Sequence, residues 1–271
     1  MNLKMTPTEP SELLELAVTL ARQAGELARN TRVEAIGRVT TKSTATDVVT
    51  AADKAAERLV VEALSAIRPS DTVLGEEGGE SPGGSGVRWI LDPIDGTVNY
   101  LYGLPHYAVS LAVEVDGIVV AGVVHNPVTG EEWTAVRGAG AFRNWEPIRC
   151  SQVTDLGQTL IATGFGYAAD RRAHQARVLA EVLPRVRDLR RNGAASLDLC
   201  WAADGRLDAY YEKGLSLWDH AAGGLICAEA GLVVSGLRGA APGPEMVLAA
   251  PRGVYDALHA LLVELDADAG P

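Results

Sequence analysis

The chain has 271 residues, 47% hydrophobic and 22% charged, with a formal net charge of −11. That profile supports a substantial buried core in one large domain or two intimate halves. It disfavours nucleic acid and anionic membranes as main partners, since both need a basic face, but leaves open an anionic substrate bridged by cations.

From Ser11 to Arg29, apolar residues recur at Leu13, Ala17, Leu20, Ala24 and Leu27, a helical stripe with Ser11 as its N-cap. A second helix is predicted from Val48 to Ile67, with Ala52, Ala56, Leu59, Val60, Ala63 and Ile67 inward and Asp53 on its more polar side. A short apolar step, Val73-Leu74, leads to Gly75-Glu76-Glu77, and the glycine-rich residues 78–86 read as a flexible loop. Trp89, Ile90 and Leu91 read as a buried strand. Tyr107–Val115 and Ile118–Val124 flank Asp116-Gly117, the strongest hairpin signal in the chain. Glu131–Arg137 adds a third strand, with a turn at Gly138–Gly140.

The second half opens with a strand at Thr159–Thr163, a helix at Arg172–Val182 ending near Pro184, and a helix at Gly193–Ala203. A strand at Leu207–Tyr211 and a helix at Asp219–Ala230 follow. Strands at Val233–Ser235 and Met246–Ala250 precede a closing helix, Val254–Leu265. Helices alternating with antiparallel hairpins favour a layered α+β fold over a doubly wound parallel sheet. No internal repeat or long linker is present, and a soft boundary is expected near residue 150.

Cys150, Cys200 and Cys227 form no CxxC pair, which argues against a disulfide framework or thiolate metal site; Cys200 and Cys227 read as buried thiols. No apolar run reaches bilayer length, and Met1 to Pro10 lack a basic-then-apolar leader pattern, so a cytoplasmic location is expected.

The most informative stretch is Trp89-Ile-Leu-Asp-Pro-Ile-Asp-Gly-Thr97. Pro93 stiffens the exit from the strand, and Gly96 permits a tight turn. A helix starting near Thr97 would turn its free amides toward the spot addressed by Asp92 and Asp95. Carboxylates beside amide donors are compatible when divalent cations sit between them and a phosphate. Glu76 and Asp219 are further acids at marked positions, enough with Asp92 and Asp95 for two or three magnesium ions. Each also has a plainer reading: Glu76-Glu77 as a solvated turn, Asp219 as a helix N-cap, Asp53 as a charge on an exposed helix face. His106, His125, His174 and His259 are isolated; His220, about 100° around the helix from Asp219, is kept as a supporting or surface residue. No basic cluster is evident for a second phosphate.

Three motifs in register carry a resemblance: Gly75-Glu76-Glu77, the Trp89–Asn99 stretch, and Trp218-Asp-His-Ala-Ala-Gly223 with Glu229-Ala-Gly231. Lys42, Asp47–Asp53, Arg190–Ser196 and Asp208–Glu212 support it. The chain resembles the inositol monophosphatase family over roughly residues 10 to 265, and within it the bacterial inositol-1-monophosphatases. The resemblance implies a layered αβαβα sandwich of the inositol monophosphatase / fructose-1,6-bisphosphatase type, commonly a homodimer. It implies a single catalytic domain over 1–271, with a metal-binding half at 1–150 and a smaller half at 151–271 completing the substrate pocket.

It also implies Mg2+-dependent hydrolysis of a polyol phosphate monoester, foremost inositol-1-phosphate, inhibited by Li+. Glu76, Asp92 and the carbonyl of Ile94 would hold one ion, Asp92, Asp95 and Asp219 a second, and a third would share Glu76. Thr97, paired with Asp53, would orient or activate water, alongside Glu76. Gly96 and Thr97 would give amides to the phosphate; Asp95, Gly193, Ala195 and Glu212 would meet ring hydroxyls; Lys42 would lie near the cluster. Val98, Gly193-Ala-Ala-Ser196 and Leu232 depart from the family pattern, the second removing a hydroxyl near the ring pocket. Fructose-1,6-bisphosphatase, histidinol phosphatase and nucleotide 3′-phosphatase activities are alternatives on the same metal core, and a regulatory or scaffold protein is the non-enzyme alternative.

Overall fold

The structure, a computed structural model, describes residues 9–35, 40–41 and 48–270. Lys42 and Asp47 lie outside the described residues. The first half contains α1 (Pro10–Ala35), β1 (Thr40–Thr41), β2 (Val48–Val49), α2 (Ala51–Ile67), β3 (Thr72–Gly75), β4 (Gly79–Glu80), β5 (Val87–Asp95), α3 (Thr97–Tyr102), β6 (Ala108–Val115), β7 (Ile118–His125), β8 (Glu132–Val136), β9 (Gly140–Arg143) and β10 (Glu146–Pro147). The second contains β11 (Leu160–Thr163), α4 (Ala169–Val182), β12 (Asp188–Arg190), α5 (Ala195–Ala203), β13 (Ala209–Glu212), α6 (Leu217–Ala230), β14 (Leu232–Ser235), β15 (Val247–Pro251) and α7 (Arg252–Glu264).

An eight-stranded sheet runs β10-β9-β8-β7-β6-β5-β3-β4, and a five-stranded sheet runs β12-β11-β13-β15-β14. One core joins α1 and α2 to the outer face of the large sheet through Leu13, Ala17, Val60, Leu64, Trp89 and Leu111. A second fills the space between the sheets, where α5 and α6 contribute Leu197, Cys200, Ala222 and Ile226. A third packs α4 and α7 on the far face of the small sheet through Val178, Val182, Leu258 and Leu262. The result is the expected αβαβα layering, stabilised chiefly by burial of apolar faces. The small sheet is mixed, because β11 pairs in parallel with both β12 and β13. The alternation of helices with antiparallel hairpins did not reveal that. Among the described residues, no helix is long and apolar enough to cross a membrane.

Several element expectations need correction. Ser11 is not the N-cap of α1, which opens at Pro10 and runs to Ala35; proline suits a first turn whose amides lack helical partners. Val48 and Val49 form a strand, and α2 starts after Thr50, whose side chain caps it in a reciprocal box with Asp53. Ile67 is exposed, and Leu64 takes the inward place assigned to it. Part of the 78–86 stretch is ordered, with Gly79 and Glu80 pairing against Gly75 and Leu74. The short strands β9, β10 and β12 carry too few apolar residues to show alternation. The Asp116-Gly117 hairpin forms as expected, both residues having the positive φ that a two-residue turn requires.

Candidate active site

Strand β5 sets the centre of the site. In a regular strand, residues three apart face opposite sides. Here Asp92 pairs with Ser110 and Asp95 with Ala108, so β5 advances three residues while β6 advances two. This bulge at Pro93-Ile94 turns both aspartates to one face. Strand β3 lies parallel to β5 with Gly75 beside Leu91, and the Glu76 amide donates to the Leu91 carbonyl. The sheet register therefore carries Glu76 to the side of Asp92.

Gly96 then turns the chain with φ 90°, and a Cβ there would sit 3.0 Å from the His106 carbonyl oxygen and 3.1 Å from Ala194 Cβ. Only glycine fits this turn. Thr97 opens α3, and its hydroxyl lies 3.2 Å from Asp53 Oδ1 and 3.1 Å from the Ile94 carbonyl. Asp53 is buried, not on a polar face as the helical pattern implied. The pattern misleads because this carboxylate is satisfied internally, by Thr97 and by the Thr50 amide and hydroxyl.

Asp219 is the third residue of α6, not its N-cap; Ser216 is the cap, and its amide donates 2.6 Å to Asp219 Oδ2. Ser110 on β6 donates to the Trp218 carbonyl, tying the start of α6 to the strand beside β5. His220, on the same helix, is buried, which corrects the surface option for it. Burial lowers its pKa to about 4, so it stays neutral.

A single cavity of about 450 Å3 is lined by Glu76, Asp92, Ile94, Asp95, Gly96, Thr97, Gly193, Ala195, Glu212 and Asp219. Burial raises Asp92 well above the usual carboxylate range, and the nearby Glu76, Asp95 and Asp219 raise it further. Burial also raises Asp219, with Asp95, Glu76 and Glu212 adding to it. Burial lifts Asp95 to about 6 despite bonds from Ser196 that favour its ionised form. Among the described residues, no group of three or more His, Cys, Asp or Glu side chains is already arranged to hold a metal ion. The donor set fits a hard divalent cation, because this wall offers carboxylate and carbonyl oxygens and neither thiolate nor imidazole. The elevation of Asp92 and Asp219 by neighbouring acids indicates the same fit, since a cation relieves it.

Sequence reasoning missed several contributors. Glu57, one turn beyond Asp53 on α2, is buried and accepts the amides of Glu77 (2.9 Å) and Gly78 (2.6 Å), clamping the turn that carries Glu76. The four-residue spacing was a readable signal, for both side chains share a helix face. The Ser196 amide lies 2.7 Å from Asp95 Oδ2, and the Ser196 hydroxyl binds the same oxygen. The residue that departed from the family pattern thus places a hydroxyl on an acid of the cavity wall. Glu212 receives the Tyr210 hydroxyl at 2.6 Å, and burial raises its pKa to about 7. Arg171 and Arg191 also line the cavity.

Comparison with known proteins agrees with this architecture. The model of the inositol monophosphatase family matches residues 9–268. An inositol-1-monophosphatase of Mycobacterium leprae is 46% identical over 94% of each chain. A protein of Pasteurella multocida named Nus factor SuhB is 38% identical over 91% of this chain and 94% of its own. The solved structure of Mycobacterium tuberculosis SuhB superposes with a TM-score of 0.83 at 41% identity, covering 97% of this chain and 100% of that one. With the family model spanning nearly its whole length, the chain belongs to the inositol monophosphatase family.

Proposed function

We propose that this protein is a Mg2+-dependent phosphatase that hydrolyses phosphate monoesters of polyols, inositol-1-phosphate foremost, by direct attack of water. One observation carries the reading: Glu76, Asp92, Asp95 and Asp219 converge on the same cavity as Thr97, which is paired with Asp53. In this reading Glu76, Asp92 and the Ile94 carbonyl hold one ion, Asp92, Asp95 and Asp219 a second, and Glu76 shares in a third. When bound, the ions supply positive charge that neutralises phosphoryl oxygens and promotes ionisation of water.

The chain's own groups supply position. The Thr97 hydroxyl donates to Asp53 or Ile94, which leaves its oxygen free to accept a hydrogen from the attacking water. Asp53 is held by Thr50, so the hydroxyl has a fixed partner. Glu76 completes the water-activating set. The Gly96 and Thr97 amides face the phosphate, and Asp95, Gly193, Ala195 and Glu212 receive the ring hydroxyls. The same reading takes residues 1–271 as one catalytic unit, expects inhibition by Li+, and includes a homodimer resident in the cytoplasm.

The test is phosphate release from inositol-1-phosphate against Mg2+ concentration, with EDTA and Li+ as controls. Saturable dependence on Mg2+ is expected, with turnover abolished by EDTA. Equal turnover in EDTA, or none at any Mg2+ concentration, would overturn the reading. A regulatory role is favoured by one observation, the name Nus factor carried by a 38% identical relative. The net charge of −11 opposes direct contact with nucleic acid. A protein captured by the intact chain, together with absent turnover, would establish that alternative.

A further inference from the structure

Helix α5 opens without a cap of its own, since its N-cap residue, Ala194, has no side-chain acceptor for the first amides. Asp95 supplies one from the other half of the chain. Its Oδ1 accepts the Ala195 amide at 3.3 Å and its Oδ2 the Ser196 amide at 2.7 Å, across 100 and 101 positions of sequence. The Ser196 hydroxyl donates to Oδ2 as well. One carboxylate oxygen thus carries two donors, and the other a single longer contact.

Ser196 stands behind Asp95. It is fully buried and takes no part in the cavity lining, which includes its neighbours Ala195 and Asp198. It faces neither the space for a cation nor that for a substrate, so it acts on either only through Asp95. A hydroxyl that donates to a carboxylate makes a charge-assisted bond, which fixes the direction of the group it holds. The stretch Gly193-Ala-Ala-Ser196 departs from the family pattern, so this hydroxyl is an addition of the chain itself. Two further contacts fix the same junction. Asn99 Nδ2 donates to the Asn192 carbonyl at 2.8 Å, and a Cβ on Gly96 would lie 3.1 Å from Ala194 Cβ. The turn after β5 is therefore fastened to the entrance of α5, where Gly193 and Ala195 are assigned to ring hydroxyls.

We infer that Ser196 is a positioning residue for the metal centre: it fastens one oxygen of Asp95, leaves the other for the cation, and ties that carboxylate to the polyol-binding groups at the entrance of α5. This rests on the phosphatase reading above. Ser196 enters no bond-making step.

The test compares the full-length chain with Ser196→Ala. The variant keeps the Ser196 amide, the Asn99 bond and the Gly96 turn, so α5 stays docked and only the hydroxyl is lost. The first readout is Mg2+ binding without substrate, by titration calorimetry. Kd for Mg2+ should rise about ten-fold with the stoichiometry unchanged, the low end for losing a hydrogen bond to a metal-ligating group. The second readout is KM at saturating Mg2+. It should rise for inositol-1-phosphate more than for phenyl phosphate, which lacks the hydroxyls assigned to Asp95, Gly193 and Ala195. A Kd within about two-fold of the starting value, far from the loss expected of such a bond, overturns the inference. So does a fallen stoichiometry at constant Kd, which assigns Ser196 to folding alone. Equal shifts of the two KM values also overturn it. Each of these leaves the phosphatase reading intact where the unaltered chain turns over inositol-1-phosphate in Mg2+. An unaltered chain that binds no Mg2+ removes both.

Discussion

The Thr97 hydroxyl stands 3.2 Å from Asp53 Oδ1, across 44 positions of sequence. The pair joins the first turn of α2 to the first turn of α3. Asp53 takes two further bonds from Thr50, so a helix cap and a candidate catalytic contact share one carboxylate. Thr97→Ala should lower kcat about 100-fold, the low end for a positioned acid–base group. Asp53→Asn should do the same, and the double variant should be no slower than either single one, because the two act as a unit. Steady-state kinetics on the three variants check this; multiplicative losses would separate the roles.

Asp92→Asn should remove activity and raise metal-free stability together. Asp92 is buried and pressed by Glu76, Asp95 and Asp219, so neutralising it relieves repulsion that no cation offsets in EDTA. The melting temperature in EDTA should rise by roughly 2–4 °C for each kcal/mol relieved. Addition of Mg2+ should stabilise the unaltered chain more than the variant. Near-normal phosphatase activity in the variant would remove Asp92 from the metal assignment.

The metal-free protein should lose stability as pH rises. Asp53 and Asp95 titrate near 6 and Glu212 near 7, all displaced upward from the ordinary carboxylate range by burial. The folded state therefore holds protons that the unfolded state has released, from about pH 4 upward. Their contribution is fully present below the unfolded value and is lost as pH passes through about 6 to 7. Thermal unfolding in EDTA should give a higher midpoint at pH 5 than at pH 8, and Mg2+ should narrow the gap. A higher midpoint at pH 8 in EDTA would contradict the clustering.

Glu57→Ala should strip two amides of their acceptor and loosen the turn that carries Glu76. A cost of about 0.5–1.5 kcal/mol per lost hydrogen bond is expected in urea unfolding, since water reaches the freed amides. The Mg2+ concentration for half-maximal rate should rise as well. Glu57→Gln keeps one acceptor oxygen where the carboxylate offers two, so it should recover only part of both. If its Mg2+ dependence matches that of Glu57→Ala, the clamp does not act through acceptor geometry.

Glu212→Ala should raise KM for inositol-1-phosphate more than for a simple aryl phosphate, because a carboxylate accepts hydrogen bonds from neighbouring hydroxyls. Equal changes on the two substrates would take Glu212 out of the polyol pocket.

The helices and the central hairpin were legible because their signals are local. Repeats of three to four residues mark α1 and α2, and Asp116-Gly117 marks its turn. The strand-turn-helix at Trp89–Thr97 was legible for the same reason. Strands β9, β10 and β12 were not, being too short for a pattern. Asp53 was misplaced because side-chain burial depends on what packs above a helix, and that partner, Thr97, comes from another element.

By itself, then, the sequence determined which acids sit at marked turns, which segments form helices and the main hairpin, and that the fold is layered α+β. The tertiary structure decided what faces what. The bulge in β5 brings Asp92 and Asp95 to one side, the register of β3 sets Glu76 beside them, and the capped start of α6 delivers Asp219. It alone revealed Glu57, Ser196, Arg171 and Arg191 at the site. Propensity and periodicity act over a few residues, whereas convergence depends on strand register and packing between segments far apart in the chain.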